Sequence, residues 1–348
     1  MVALLTLCAM APSSQAQPDP DPAVVTALAD RILSCRHEAS GVFLLDPWAE
    51  KRPAGFVPYF AHFAAYGLAR AFEVTRKPEY LRATDAWVDW YGSHQRPDGT
   101  VTDYVFEAGG TLAPKDDMDS TDSYAAMYLW VVAERWRVAP EPSGWLRERE
   151  LSCLRAVSAI LLTLQEDGMT IAKPTYPIEY AMDNAEVVAG LRSAGLIFDA
   201  LGNPGMAAHV RRLAERAEVS LRTLYSPEHG YFAWYRDLQG QMGFALDKWY
   251  PDVMAQVLVL MRVGRLGEPD QSVFGRVAQT YLTREFDSDR PSEHTWFGLA
   301  AQRVGNDEWV RKVVTPLNQL PAEAVPGYDS LRCSSILEAI TGGTRPRW

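Results

Sequence analysis

Several things are scarce in this 348-residue sequence, and each scarcity excludes a class of protein. There are only four cysteines, and one of them, Cys8, sits in an N-terminal run expected to be removed. The remaining Cys35, Cys153 and Cys333 are too few and too scattered for a zinc site, although two of them could pair in an oxidising compartment. Positive charge is also short: 34 Lys and Arg face 44 Asp and Glu, for a net charge of −10. With no basic stripe to neutralise phosphates, neither nucleic acid nor an anionic membrane surface is expected as a partner, and polyanionic substrates are mildly disfavoured. Beyond the N-terminus no stretch has the ~18 uninterrupted apolar residues of a membrane span. No motif calls for a metal or another cofactor, and none is expected.

What is present begins with a short apolar run at residues 2–10, followed by the small residues Ser14-Gln15-Ala16. This reads as a signal peptide over residues 1–16, cleaved near Ala16, with export to the periplasm or the exterior. The run has no basic segment before it, which fits a start upstream of Met1, and the bulky Leu7 makes Cys8 a poor lipidation site. Residues 17–21 (Gln-Pro-Asp-Pro-Asp) read as a disordered leader. Residues 22–348 are expected to form a single domain and a monomer, with 47% apolar residues to build its core.

Within that domain, amphipathic and almost wholly apolar helices alternate. The first, about 22–37, has Val24, Val25, Leu28, Ile32 and Leu33 at helical spacing. The second, about 57–74, is apolar nearly all round, whereas the third, about 78–95, carries Arg82, Asp85 and Asp89 on one face. Apolar segments recur at about 120–137, 183–200, 251–263, 293–303 and 328–341, with mixed ones between them at 145–165, 204–224, 268–284 and 306–318. A helix that is apolar all round is buried, and one with a polar stripe is half-exposed, so six inner and six outer helices are expected. The joints repeat as well: Asp98-Gly99-Thr100, Asp167-Gly168-Met169 and His229-Gly230-Tyr231 each place an acid or His before glycine and a β-prone run after it. Their spacing of about 60 to 70 residues is that of one helical hairpin plus a decorated loop.

In this alternation and these joints the chain resembles the six-hairpin glycosidase superfamily. The resemblance implies an all-α fold, an (α/α)6 toroid of six helical hairpins with short β-hairpins in the loops of one face and an active site at the inner-helix N-termini. In such a ring Cys35, ending the first outer helix, and Cys333, near the start of the last inner one, should come close enough to bridge.

The richest of these starts is Lys115-Asp116-Asp117-Met118-Asp119-Ser120-Thr121-Asp122-Ser123-Tyr124. Ser120 or Thr121 can cap the helix and acids favour its first turn, so capping alone is the bland reading. The next inner helix opens on Tyr176, Glu179, Tyr180, Asp183 and Asn184, where Asp183 with Glu186 also fits a capping box. Trp234, Lys248, Trp249, Tyr250 and Asp252 precede the fourth inner helix, Glu293, His294 and Trp296 begin the fifth, and Tyr328 begins the sixth. Together with Tyr59, His62 and Tyr124, these residues are expected to contact substrate. Carboxylates beside aromatic rings suit sugars, which offer C–H faces for stacking and hydroxyls for hydrogen bonds. Trp87, Trp90, Trp130 and Trp136, inside helices, read as core.

The expected chemistry is glycoside hydrolysis of an oligo- or polysaccharide by two carboxyls, with inversion expected by analogy with the superfamily. Asp122 and Asp183 are the leading pair. Their placement is similar to the two aspartates of unsaturated glucuronyl hydrolases, although the surrounding residues do not reproduce that family's motifs. Asp119, Glu179, Asp252 and Glu293 are the alternatives. A polysaccharide lyase could instead recruit Tyr176, Tyr180, Tyr250, His62, His294, Asn184 or Arg236, but acids at the pore would repel uronates. A carbohydrate-binding protein without turnover is the third reading. Asp116-Asp117-Met118-Asp119 superficially resembles the acidic motifs of terpene cyclases, a reading disfavoured by the export signal and polar loops.

Overall fold

The computed structural model describes residues 19–46, 55–107, 110–140, 144–263, 269–281 and 291–342. The signal peptide and the first part of the leader lie outside these residues. Proline opens many of the helices: α1 (Pro22–Ser34), α2 (Pro58–Thr75), α3 (Pro78–His94), and later α8 (Pro204–Arg222), α10 (Pro269–Tyr281) and α11 (Pro291–Val304). At a first helical position its fixed φ is already helical and its missing N–H would have had no partner. Between them run α4 (Asp122–Val138), α5 (Gly144–Glu148), α6 (Glu150–Thr163), α7 (Ala181–Ala200) and α9 (Met254–Arg262). The chain closes with α12 (Asp307–Trp309), a widened turn Val310–Val314, α13 (Thr315–Leu317) and α14 (Ser330–Ile340).

Packing makes these a ring. Helices α2, α4, α7, α9, α11 and α14 each pack against the next, and α14 returns to α2; the outer elements α1, α3, α6, α8, α10 and α12–α13 lie outside them. This is the expected (α/α)6 toroid of six hairpins. The inner α4 buries nearly every residue from Asp122 to Arg135, whereas the outer α8 buries one stripe, Ala207, Val210, Leu213, Ala214, Ala217 and Leu221. Of the four tryptophans read as core, Trp87 and Trp130 are buried, and Trp90 and Trp136 pack against the core part-buried. Two expected outer helices are broken. The 145–165 segment interrupts at Arg149, and the last one widens before Pro316, which has no N–H to continue the ladder.

The inner helices approach closely where side chains are smallest. A Cβ on Gly190 of α7 would stand 2.5 Å from the carbonyl oxygen and 2.6 Å from the Cα of Ala126 on α4, and one on Gly67 would stand 2.8 Å from the Cβ of Ser334, where the ring closes. Since the obstacle at Gly190 is backbone, the two helices must part to admit a methyl group. We therefore expect Gly190→Ala to cost about 1–3 kcal/mol despite its better helix propensity, read as a lowered midpoint in urea unfolding. An unchanged midpoint would mean that the crossing is loose.

At the inner-helix C-terminal end the pore is closed by ion pairs. Arg70 donates to Glu134 at 2.9 Å and to the Thr341 hydroxyl at 3.0 Å, and Arg262 donates to Glu338 at 2.5 Å. Above them Tyr66 stacks on Trp130, with ring centroids 3.5 Å apart, and the Arg262 guanidinium lies 4.2 Å from the Trp130 ring centre. The opposite end carries short antiparallel strands: β1 (Gly55–Phe56), β2 (Tyr104–Phe106) and β3 (Leu112–Pro114) form one sheet. A second joins β4 (Ile178–Tyr180), β7 (Tyr235–Asp237) and β8 (Met242–Gly243), and β5 (Tyr225–Ser226) pairs with β6 (Tyr231–Phe232). Gly99, Gly168 and Gly230, the joint glycines, have φ of +89°, +105° and +77°, a conformation L side chains resist.

Cys35 caps α1 and Cys333 lies on α14, which packs against α1, so the expected neighbourhood is formed. Both are buried free thiols, as is Cys153.

Candidate active site

The pore opens at the N-termini of the inner helices, and three carboxyls from two adjacent ones meet there. Asp183 stands in the first turn of α7 and Glu186 one turn further on, spacing that puts both on one helix face. They do not form the capping box: the N-cap of α7 is Tyr180, with no side-chain capping bond. The Glu186 carboxyl, 1% exposed, accepts a hydrogen bond from the Tyr59 hydroxyl at 2.7 Å, and the Ser123 hydroxyl of α4 lies against both Asp183 and Glu186. Asp183 lies deep in the pore but keeps part of its surface open.

Burial is the main reason these acids hold protons. It pushes Asp122 up to about 6 and Glu186 up to about 7. Asp183 is raised well above the ordinary carboxylate range, first by burial and then by the negative charges of Asp122, Glu186 and Asp119. Carboxylates packed this closely cannot all ionise cheaply, so the cluster retains a proton.

Of the leading pair, Asp183 is part-exposed and Asp122 is fully buried. Asp122 is 0% exposed; its Oδ1 accepts from Ser120 Oγ at 2.6 Å and the Ser123 amide at 2.8 Å, and its Oδ2 accepts from Thr170 Oγ1 at 2.6 Å. A carboxyl so engaged with its own helix start and the neighbouring loop has no face left for a substrate. The N-cap of α4 is Thr121, which makes no side-chain capping bond; the Ser120 hydroxyl before it accepts from the Ser123 amide at 3.2 Å. Asp119, by contrast, is exposed at the mouth, and its charge reaches Asp183, Tyr124 and Tyr250.

Other candidates are consumed by structure. Glu179 on β4 is buried and accepts at 2.5 Å from Arg236, its cross-strand partner on β7, which also binds Asp167. Asn184 spends its amide on the backbone and hydroxyl of Thr170 and on the Tyr180 carbonyl. Asp252 accepts from the amides of Asp247 and Lys248, both at 3.1 Å, and so staples its own loop. His62 is sealed inside the ring; its Nδ1 accepts from Trp87 Nε1 at 3.2 Å, and burial lowers it to about 3. Tyr124 is buried and donates to Asp103 at 2.7 Å. The side chain of Glu293 lies outside the described residues.

The aromatic candidates divide into a shelf and a wall. On the shelf, Tyr180 stacks on Trp234 with centroids 5.9 Å apart, its hydroxyl lies 3.1 Å from that of Tyr176, and Tyr176 and Tyr250 are 47% and 59% exposed. The charge of Asp183 reaches both Tyr180 and Tyr250, which places the shelf beside the open acid. Gly243 makes room beneath it, since a Cβ there would overlap the Tyr235 ring. The buried Trp249 and Trp296, with centroids 6.3 Å apart, and Phe63 form the wall. Lys248 is exposed, while Tyr328 carries the Arg332 guanidinium 3.4 Å above its ring, next to His294, which burial and Arg332 lower to about 4.

No protein-family model matches the chain, and no curated protein does. Solved structures do. A GH63 mannosylglycerate hydrolase from Thermus thermophilus, in complex with glucose, is 11% identical over 92% of this chain and 100% of its own, with a TM-score of 0.65. A rhamnosidase from Klebsiella oxytoca with rhamnose bound is 14% identical over 95% of this chain and 66% of its own, with a TM-score of 0.61. A D-mannose isomerase is 14% identical over 84% and 83% of the two chains, with a TM-score of 0.57. At such identities the likeness establishes the fold, the six-hairpin (α/α)6 toroid.

Proposed function

We propose that the protein is an exported glycoside hydrolase that cleaves an oligo- or polysaccharide by inverting general acid/base catalysis. The observation that carries this reading is Asp183: a part-exposed residue whose carboxyl is crowded by Asp119, Asp122 and Glu186, with a stacked aromatic shelf beside it. Its neighbours keep it protonated, as an acid that must protonate a glycosidic oxygen requires. Asp119 is the second carboxyl, exposed at the mouth, and it activates the water. Inversion requires the two to stand about 6.5 to 9.5 Å apart across the bond. The hydrolases of like fold support the assignment by analogy alone, and the apolar run at residues 2–10 supports export.

A lyase needs a phenolate or imidazole base and a cation or amide for the uronate carboxylate. Burial and nearby charge raise Tyr59, Tyr180 and Tyr250, which disfavours a phenolate, while Arg236 and Asn184 are already engaged. Sugar isomerisation has one specific observation behind it, the neutral His294 at the start of α11 together with an isomerase of like fold. A glycan panel separates the three. We expect new reducing ends without ultraviolet-absorbing unsaturated products, the freshly released sugar carrying the opposite anomeric configuration by NMR. Unsaturated ends would establish a lyase, and aldose–ketose exchange without cleavage an isomerase.

A further inference from the structure

Glu186 has no part in the reaction as drawn, yet it is buried in the pore wall one helical turn from the proposed acid. Every neighbouring element addresses it. Helix α2 contributes Tyr59, whose hydroxyl donates to its Oε1 at 2.7 Å; α4 contributes the Ser123 hydroxyl and the Asp122 carboxyl; α7 contributes Asp183; and α9 contributes Arg262, the positive charge acting on it. Burial raises Glu186 to about 7, and the donor and the cation work against that rise, favouring its anion at and above neutral pH. An anion held there, one helical turn from Asp183, makes Asp183 the better place for a proton. We infer that Tyr59 and Glu186 are a positioning pair that holds the reaction proton on Asp183. Neither touches the scissile bond; the pair acts through the protonation state of its neighbour, and the inference rests on reading Asp183 as the acid.

The electrostatics agree with the geometry: Glu186 is the second-largest charge raising Asp183, after Asp122, and the Tyr59 hydrogen bond pulls Glu186 toward its charged form. The test needs no substrate. In protein carrying carboxyl-13C aspartate, the NMR titration of Asp183, assigned by its loss in Asp183→Asn, is followed in wild type, Glu186→Gln and Tyr59→Phe. Glu186→Gln should lower the Asp183 midpoint by about one pH unit or more, because a neutral amide replaces the charge. Tyr59→Phe should lower it by less, as Glu186 loses its donor and competes for the proton. Where a substrate is in hand, the alkaline limb of kcat/KM should move to lower pH with the same ranking. An Asp183 midpoint unmoved in folded Glu186→Gln, or in Tyr59→Phe if the first variant does not fold, overturns the inference. A midpoint that moves while Asp183→Asn retains activity would keep the pair and remove Asp183 as the acid.

Discussion

Replacing Asp183 by Asn is expected to reduce kcat by about 10³-fold while leaving sugar binding nearly intact, and also to make the protein more stable at neutral and alkaline pH. The first effect follows because the amide keeps the shape and cannot deliver a proton. The second follows from the sign of the shift. Asp183 binds its proton more tightly in the fold than in the unfolded chain, so its contribution to stability is full below its unfolded value and is lost as pH rises through its folded one. Asp122, raised to about 6, and Glu186, raised to about 7, act in the same sense. Wild type should therefore melt highest in mild acid and lose several degrees toward pH 8, and Asp183→Asn should flatten that slope. Asp119→Asn, at an exposed position, should cost activity and flatten the slope only slightly, since Asp119 is the smallest of the three charges that raise Asp183. Full turnover in Asp183→Asn, or a melting temperature that falls below wild type at pH 8, would end the assignment. If Asp122→Asn were inactive and Asp119→Asn fully active, Asp122 and Asp183 would be restored as the pair.

The ring was legible because it is a matter of period. Alternating all-apolar and one-sided helices can be read from spacing alone, and the expected boundaries lie within a few residues of the observed ones for most helices. Gly99, Gly168 and Gly230 could be placed in turns because a positive φ is what glycine tolerates and other residues do not. The site was legible only as a region. Asp122 looked available because its nearest neighbours in sequence are hydroxyls and acids, but the bond that closes off its second oxygen comes from Thr170, 48 residues away. Glu179 was lost to Arg236 across a strand pair whose register no local pattern reveals. Glu186 was within reach: the i, i+3 spacing that fits a capping box also places two acids on one face. Its role stayed hidden because Tyr59 belongs to another hairpin.

Arg262 carries the largest stability effect we expect outside the acids themselves. It is the last residue of α9, buried, with Nη1 and Nη2 donating to the two oxygens of Glu338 at 2.5 and 3.3 Å and its guanidinium over Trp130. Arg262→Met would leave Glu338 buried without a partner and would remove the positive charge that acts on Glu186. A buried carboxylate stripped of its cation typically costs about 3–5 kcal/mol, so the single variant should be strongly destabilised, and more so as pH rises and Glu186 ionises. Pairing it with Glu338→Leu removes the orphaned charge and should recover most of the loss, since a buried ion pair is often no better than well-packed apolar side chains. Recovery should stop short of wild type above about pH 7, because Glu186 still lacks its cation. Urea unfolding of wild type, single and double variants at pH 5 and pH 8 checks all three steps. A single variant as stable as wild type would mean that solvent reaches Glu338, and a double variant no better than the single would mean that the Arg262 stem packed on Trp130, rather than its charge, holds this end of the pore closed.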